Sequence, residues 1–135
     1  MNKIIEQELL KLTKKAYKKD EVPVAAILAN DNEIITKAYN TRYHDNNPIN
    51  HAEIKCILKA AKKLNNWRLE DLELYVTLEP CPMCKSIIEE VRVKNVYFLV
   101  PSEKKNSKKT TYQQLNISIN SECKNLLQSF FKNHR

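Results

Sequence analysis

Segments with helical hydrophobic spacing alternate with short β-rich runs along this whole chain, and that alternation restricts the fold to a sheet covered by helices on both faces. Residues 2–19 place Ile5, Leu9, Leu12 and Ala16 at helical spacing with lysines between them. Val22–Leu28 and Glu33–Tyr39 are β-rich runs joined at Asn30-Asp31-Asn32. The chain has no glycine at all, so Asn and Asp are the residues left to take the left-handed turn of a hairpin. A polar loop, Tyr43 to Asn50, leads to a second helix from His51, with Ile54, Ile57, Leu58, Ala61 and Leu64 on one face. Asn65-Asn66 ends that helix, a third strand covers 72–78, and a third helix runs from Cys81 to Val91. The apolar run Val93–Val100 reads as a strand buried on both faces. Leu115–Ile119 is a candidate fifth strand, and Ser121 caps a last helix carrying Leu126, Leu127, Phe130 and Phe131. The basic stretch 101–114 just meets the dozen or so residues that a parallel crossover requires.

No repeat and no linker divides the 135 residues, which read as one domain, 1–135, large enough to bury a core without disulfides. No apolar run approaches the roughly 18 residues of a membrane span. Acids and lysines stand where a signal peptide would carry its apolar stretch, which points to the cytoplasm. There the four cysteines stay reduced and serve metal binding or packing. The net charge of +7 favours a polyanionic partner, although the Lys-, Asn- and Ile-rich composition of an A·T-biased genome would produce the same lean.

Two segments carry chemistry: Asn50-His51-Ala52-Glu53 and Thr77-Leu78-Glu79-Pro80-Cys81-Pro82-Met83-Cys84. Each opens a predicted helix, and side chains of a first turn lean toward the helix N-terminus, where they can converge. Cys81 and Cys84, three residues apart, share a helix face, and the unpaired N–H groups there favour thiolates. His51, Cys81 and Cys84 supply three zinc ligands, and three ligands with one open position is the catalytic arrangement. Zinc in such a site generates hydroxide near neutral pH. Glu53 can reach that water without being a ligand and can pass its proton to a departing amine.

H-x-E followed by P-C-x-x-C is identified as the signature of the zinc nucleobase deaminases. Val22-Pro23-Val24-Ala25-Ala26, Asn40, the His51 segment, and Asn66-Trp67-Arg68-Leu69-Glu70 through Leu74–Cys81 resemble the bacterial tRNA-specific adenosine deaminases. So does the ending Glu122-Cys123-Lys124-Asn125-Leu126-Leu127 with Phe130-Phe131. The resemblance implies a three-layer α/β/α, cytidine-deaminase-like fold with a mixed central sheet of about five strands. It implies conversion of the wobble adenosine of a tRNA to inosine by a homodimer with one zinc per subunit. It also implies that Asn40 and Ala52 bind the base. The family's Gly-rich, Asp-containing stretch after its fourth strand is replaced here by Leu99-Val100-Pro101-Ser102-Glu103-Lys104-Lys105.

Lys104, Lys105, Lys108, Lys109, Lys132 and Arg135 are the candidate RNA-phosphate contacts. Cys56 and Cys123 read as packing residues, His44 as solvated, His134 as frayed surface and Trp67 as a core anchor. Glu79 reads as a hydrogen-bonding brace for the ligand-bearing turn. One of Phe130 and Phe131 packs, and the other meets RNA or a partner subunit. Two other readings stay open. One is a deaminase of a free base or nucleoside (guanine, cytosine or cytidine), and the other is a non-catalytic zinc-stabilised RNA-binding module. The second needs a fourth ligand from Cys56, Cys123 or His44 and gives Glu53 nothing to do.

Overall fold

A computed structural model describes residues 1–102 and 110–134. Helix α1 (Lys3–Lys18) is capped by Asn2, whose side chain accepts from the Ile5 N–H. It has Glu6 in its first turn and Lys15 and Lys18 in its last, each sign at the end where the helix dipole favours it. Strands β1 (Ala25–Asn30) and β2 (Glu33–Tyr39) form the expected hairpin. Its turn residues Asp31 and Asn32 both have positive φ, 49° and 73°. Of the six positive-φ residues among those described, five are Asp or Asn. Another of them, Asn65, closes α2 (Ala52–Leu64) in the left-handed conformation. The glycine-free chain therefore makes its left-handed turns with the two residue types that tolerate them best after glycine. Arg92, at φ 69°, is the exception.

The remaining elements are β3 (Glu73–Leu78), α3 (Pro82–Glu90), β4 (Asn95–Val100), β5 (Thr111–Gln114) and α4 (Asn120–Asn133). The sheet order is β2-β1-β3-β4-β5, antiparallel from β2 through β3 and parallel from β3 through β5. Strand β1 lies inside the sheet with both faces covered. Ala25, Ile27 and Ala29 pack with Ile5, Leu9 and Leu12 of α1 and Cys123 of α4. Ala26 and Leu28 pack with Ile54, Ile57 and Ala60 of α2 and Ile88 of α3. This makes the three layers α1/α4, sheet, α2/α3. Between the α1 layer and the sheet, the Thr13 and Thr77 hydroxyls pair at 2.8 Å, and Thr77 also accepts from the Ala25 N–H. No described helix is long and apolar enough to cross a membrane.

Five expectations are corrected. Helix α2 buries Ala52, Glu53, Ile54, Cys56, Ile57 and Ala60, whereas Leu58 is 63% exposed and Leu64 is exposed. The small residues Ala52, Cys56 and Ala60, four apart, form the row that lets the helix lie close to the sheet, and this turns Leu58 outward. The fifth strand is Thr111–Gln114 rather than 115–119. As an edge strand it needs only one packed face, so its polar residues hide the apolar signal, and Leu115 and Ile117 pack beyond its end. Helix α4 starts at Asn120, ahead of Ser121, and the Asn120 amide donates to Leu115 and Leu99 carbonyls. Trp67 is 48% exposed, with the Arg68 and Arg92 guanidinium groups 4.8 and 5.3 Å from its ring centroid. His134 is tied down: it stacks on Phe130 and places Nε2 2.7 Å from the Asp20 carboxylate.

Candidate active site

His51 is the N-cap residue of α2, and Cys81 is the N-cap residue of α3, with Pro82 setting the first helical φ. Both helices begin at the end of the sheet where β2 and β3 finish. That common origin brings His51 Nδ1 within 3.5 Å of Cys84 Sγ and 3.9 Å of Cys81 Sγ. The three donor atoms all lie within 4.8 Å of one another, although thirty residues separate His51 from Cys81.

The local electrostatics suit a cation. Hydrogen bonds from Cys84 and then His51 draw the Cys81 thiol down to about 3. Cys84, the donor in that pair and itself buried, is pushed up. The pair alone therefore carries one negative charge, and a bound cation is what would ionise both sulfurs. Hydrogen bonding to Cys81 raises the His51 imidazole. Glu53, 4% exposed, is pushed up to about 7 by burial. The Cys84 thiol beside it pulls the Glu53 carboxyl the other way, downward.

Beside this cluster opens a cavity of about 430 Å³, in the range of small-molecule sites. Asn40, Ala52, His51, Glu53 and Cys81 all line it, so five of the residues named from the sequence meet in one place. Asn40 both caps its turn, through Oδ1 accepting from the Arg42 N–H at 3.0 Å, and faces the cavity. The loop that follows is pinned from below. The buried Glu21 carboxylate accepts from the Tyr43 and His44 N–H groups at 3.0 and 2.6 Å. Hydrogen bonds from Thr41 and Asn50 hold the Asp45 carboxyl below its ordinary range. Sequence reasoning missed Glu21, Arg42 and Ser102. Glu21 carries no local signal that separates it from surface acids, and Arg42 could have been found as the neighbour of Asn40 in the same loop.

Glu79 is the brace the sequence suggested. One carboxylate oxygen accepts from the buried Lys85 ammonium at 3.2 Å, and the other accepts from the Ser102 N–H at 2.9 Å, beside the cavity. Glu79→Ala would remove the carboxylate facing a buried cation. Lys85 keeps its contact with the Tyr112 ring, so the expected cost is about 1–3 kcal/mol of folding stability, measured by urea denaturation of the variant and the parent.

Residues 2–135 match the model of the MafB19-like deaminase family. The chain belongs to that family. Among its deaminase relatives, the tRNA-specific adenosine deaminase of Streptococcus pyogenes serotype M18 is 35% identical over 141 residues, covering 96% of this chain and 89% of that protein. The tRNA-specific adenosine deaminase of Bacillus subtilis is 48% identical over 92 residues, 68% of this chain and 57% of that protein. The match thus spans little more than half of the Bacillus relative's length. A structure solved in studies of A-to-I editing by tRNA:A34 deaminases at the wobble position of transfer RNA superposes with a TM-score of 0.69. It is 35% identical and covers 72% of this chain and 75% of its own. The five-stranded mixed sheet is accordingly the cytidine-deaminase-like fold expected from the sequence.

In this deaminase the cavity lined by His51 and Glu53 adjoins a second one of about 640 Å³, and Leu78 and Phe131 stand in the wall between them. Phe130 is buried and Phe131 half exposed, the division of labour expected of adjacent helix residues. Lys132 lines the second cavity. Lys104, Lys105, Lys108, Lys109 and Arg135 lie outside the described residues. Cys56 and Cys123 are fully buried, far from solvent and in separate parts of the core, and His44 is exposed in its loop.

Proposed function

We infer that this protein is a zinc-dependent deaminase that converts the wobble adenosine of a tRNA to inosine. The observation that carries the chemistry is the buried Glu53 carboxyl, which opens into the same cavity as His51 and Cys81. The 35% identity along nearly the whole chain to tRNA-specific adenosine deaminases supports the substrate.

Zinc fits the donor set. At ordinary Zn–S and Zn–N bond lengths, tetrahedral geometry puts sulfur and nitrogen roughly 3.5 Å apart, and the Sγ–Nδ1 separations are 3.5 and 3.9 Å. Among the described residues the ligand group stops at three, which argues against the closed four-ligand site of a structural module. Held there by His51, Cys81 and Cys84, zinc would supply a nucleophile at neutral pH by lowering the pKa of water. The reaction adds water at C6 of adenine and breaks the bond to the exocyclic nitrogen, leaving a C6 carbonyl and ammonia. Glu53 takes the proton from the attacking water and delivers it to the departing nitrogen, a task suited to a carboxyl that titrates near neutrality. The Asn40 amide and the Ala52 main chain, both on the cavity wall, hold the base in place. A loop nucleotide is already partly unstacked, so entering the cavity costs less than flipping a paired base.

We place the enzyme in the cytoplasm, where tRNA is found, as a homodimer whose second copy covers the exposed Leu58 and Leu64 of α2. Leu58→Glu should then shift the dimer toward monomer in light scattering.

The substrate test is ammonia release from bulk tRNA beside free adenosine, guanine and cytidine. tRNA should be turned over and the free compounds should not. Robust turnover of a free base with inert tRNA would replace the RNA reading by that of a base or nucleoside deaminase.

A further inference from the structure

The edge strand β2 lies between α2, whose lysines bond its carbonyls, and α1, whose last turn and C-cap bring lysines to its Tyr39 end. On α2, Lys55, Lys59 and Lys63 recur every fourth residue, and their ammonium groups donate to three alternate carbonyls of the strand: Tyr39 (3.3 Å), Lys37 (3.2 Å) and Ile35 (2.9 Å). On the other face, Lys11, Lys15 and Lys19 recur at the same spacing along α1 and its C-cap. Lys15, Lys19 and Lys55 all stand within 6 Å of the Tyr39 ring centroid. Among the described residues none of these six lysines has a carboxylate within 4.0 Å; the one acid paired on this edge, Glu8, is taken by Lys37. A row of three cations about 12 Å long by helical rise, and a pair of cations at the Tyr39 end, thus flank one strand, with Glu8 near Lys11 and Asp45 and Glu21 near Lys55 as the acids that act on them.

This edge leads to the cavity. Lys55 also donates to Thr41 Oγ1 at 2.7 Å, so its ammonium bridges the residues on either side of Asn40, which lines the catalytic cavity. Burial, and then the neighbouring Lys59 charge, hold Lys55 below its ordinary value. Guarding the edge against strand pairing would account for the α2 row. It does not extend to Lys15 and Lys19, whose ammonium groups stand over the Tyr39 ring and make no hydrogen bond to the strand.

We propose that the lysines flanking β2 form a phosphate-binding track that carries the RNA backbone away from the catalytic cavity. The proposal rests on the RNA reading above. Its ligand is the sugar-phosphate backbone on the stem side of the target nucleotide. A run of about 12 Å spans roughly three phosphates of one strand. The lysines add affinity and orientation without reading sequence, since phosphate contacts position rather than specify.

The test uses the zinc-loaded enzyme and an intact tRNA, with the variant K15Q/K19Q/K59Q/K63Q. The slope of log affinity against log salt should shrink by about 2, the most that roughly three phosphates at about 0.7–0.9 each can carry. KM for tRNA should rise on the order of tenfold or more, with kcat at saturation and zinc content unchanged. The pair K15Q/K19Q, whose side chains do not bond the strand, should lose about half as much slope; a charge-neutralising control, K3Q/K94Q, should lose none. An unchanged slope in both lysine variants, with or without self-association of the fourfold one, overturns the track and leaves only a guarded strand edge. Inosine formation by the parent enzyme in the same assay reports separately on the RNA reading, so failure of the track and failure of the function are told apart.

Discussion

Glu53→Gln should lower kcat/KM on tRNA by at least the roughly 10²–10⁴-fold typical of a general acid–base group, while zinc content and thermal stability stay close to those of the parent. The amide keeps the volume of the side chain but can neither accept the proton of the attacking water nor return it. Because Glu53 is buried and its carboxyl is raised by burial, the uncharged amide sits in its place at little cost in folding. The discriminating measurement is metal analysis beside single-turnover kinetics. Full zinc with lost chemistry supports a proton carrier, whereas lost zinc would make Glu53 a ligand and contradict the mechanism.

Cys81→Ala and Cys84→Ala should each abolish both zinc and activity. Three donors share the binding free energy, and the two sulfurs and one imidazole nitrogen stand close enough that no other described side chain can substitute. Zinc at about 1,000 times its dissociation constant should stabilise the parent by about 4 kcal/mol. The alanine variants should show no such rise in Tm when zinc is added. Retention of stoichiometric zinc in both would overturn the ligand assignment. Cys56→Ala, by contrast, removes a buried thiol bonded to Thr36 and should leave zinc binding intact.

The convergence of His51, Cys81 and Cys84 was legible in the sequence because the candidate site depends on short-range spacing. The three residues from Cys81 to Cys84 and the two from His51 to Glu53 fix their relations within one helical turn, and only the meeting of the two turns needed the fold. The elements around them were legible for a similar reason: α1 and the β1–β2 hairpin carry period and turn signals of their own. What the sequence hid were relations across the sheet. Leu58 looked inward because apolar periodicity cannot tell a core face from an outward one, and the small row Ala52, Cys56, Ala60 settled the matter only against β1 and β2. Strand β5 was misplaced because an edge strand can be polar. Glu21 and Lys85 went unremarked as buried charges, since nothing nearby in the chain announces the N–H groups or the carboxylate that satisfy them. The grouping of the lysines of α1 and α2 appears only when the two helices are set on opposite sides of β2.

The central claim is that His51, Cys81, Cys84 and Glu53 serve adenosine in RNA, and one measurement meets it directly. Zinc-loaded protein is incubated with a tRNA bearing adenosine at the first anticodon position, and the product is digested and read by nucleoside mass spectrometry with sequencing across the anticodon. The expected result is inosine at that position alone, at most one per tRNA, and none with Glu53→Gln. Unaltered adenosine at the wobble position, with zinc bound at stoichiometry and a free base turned over by the same preparation, would contradict it.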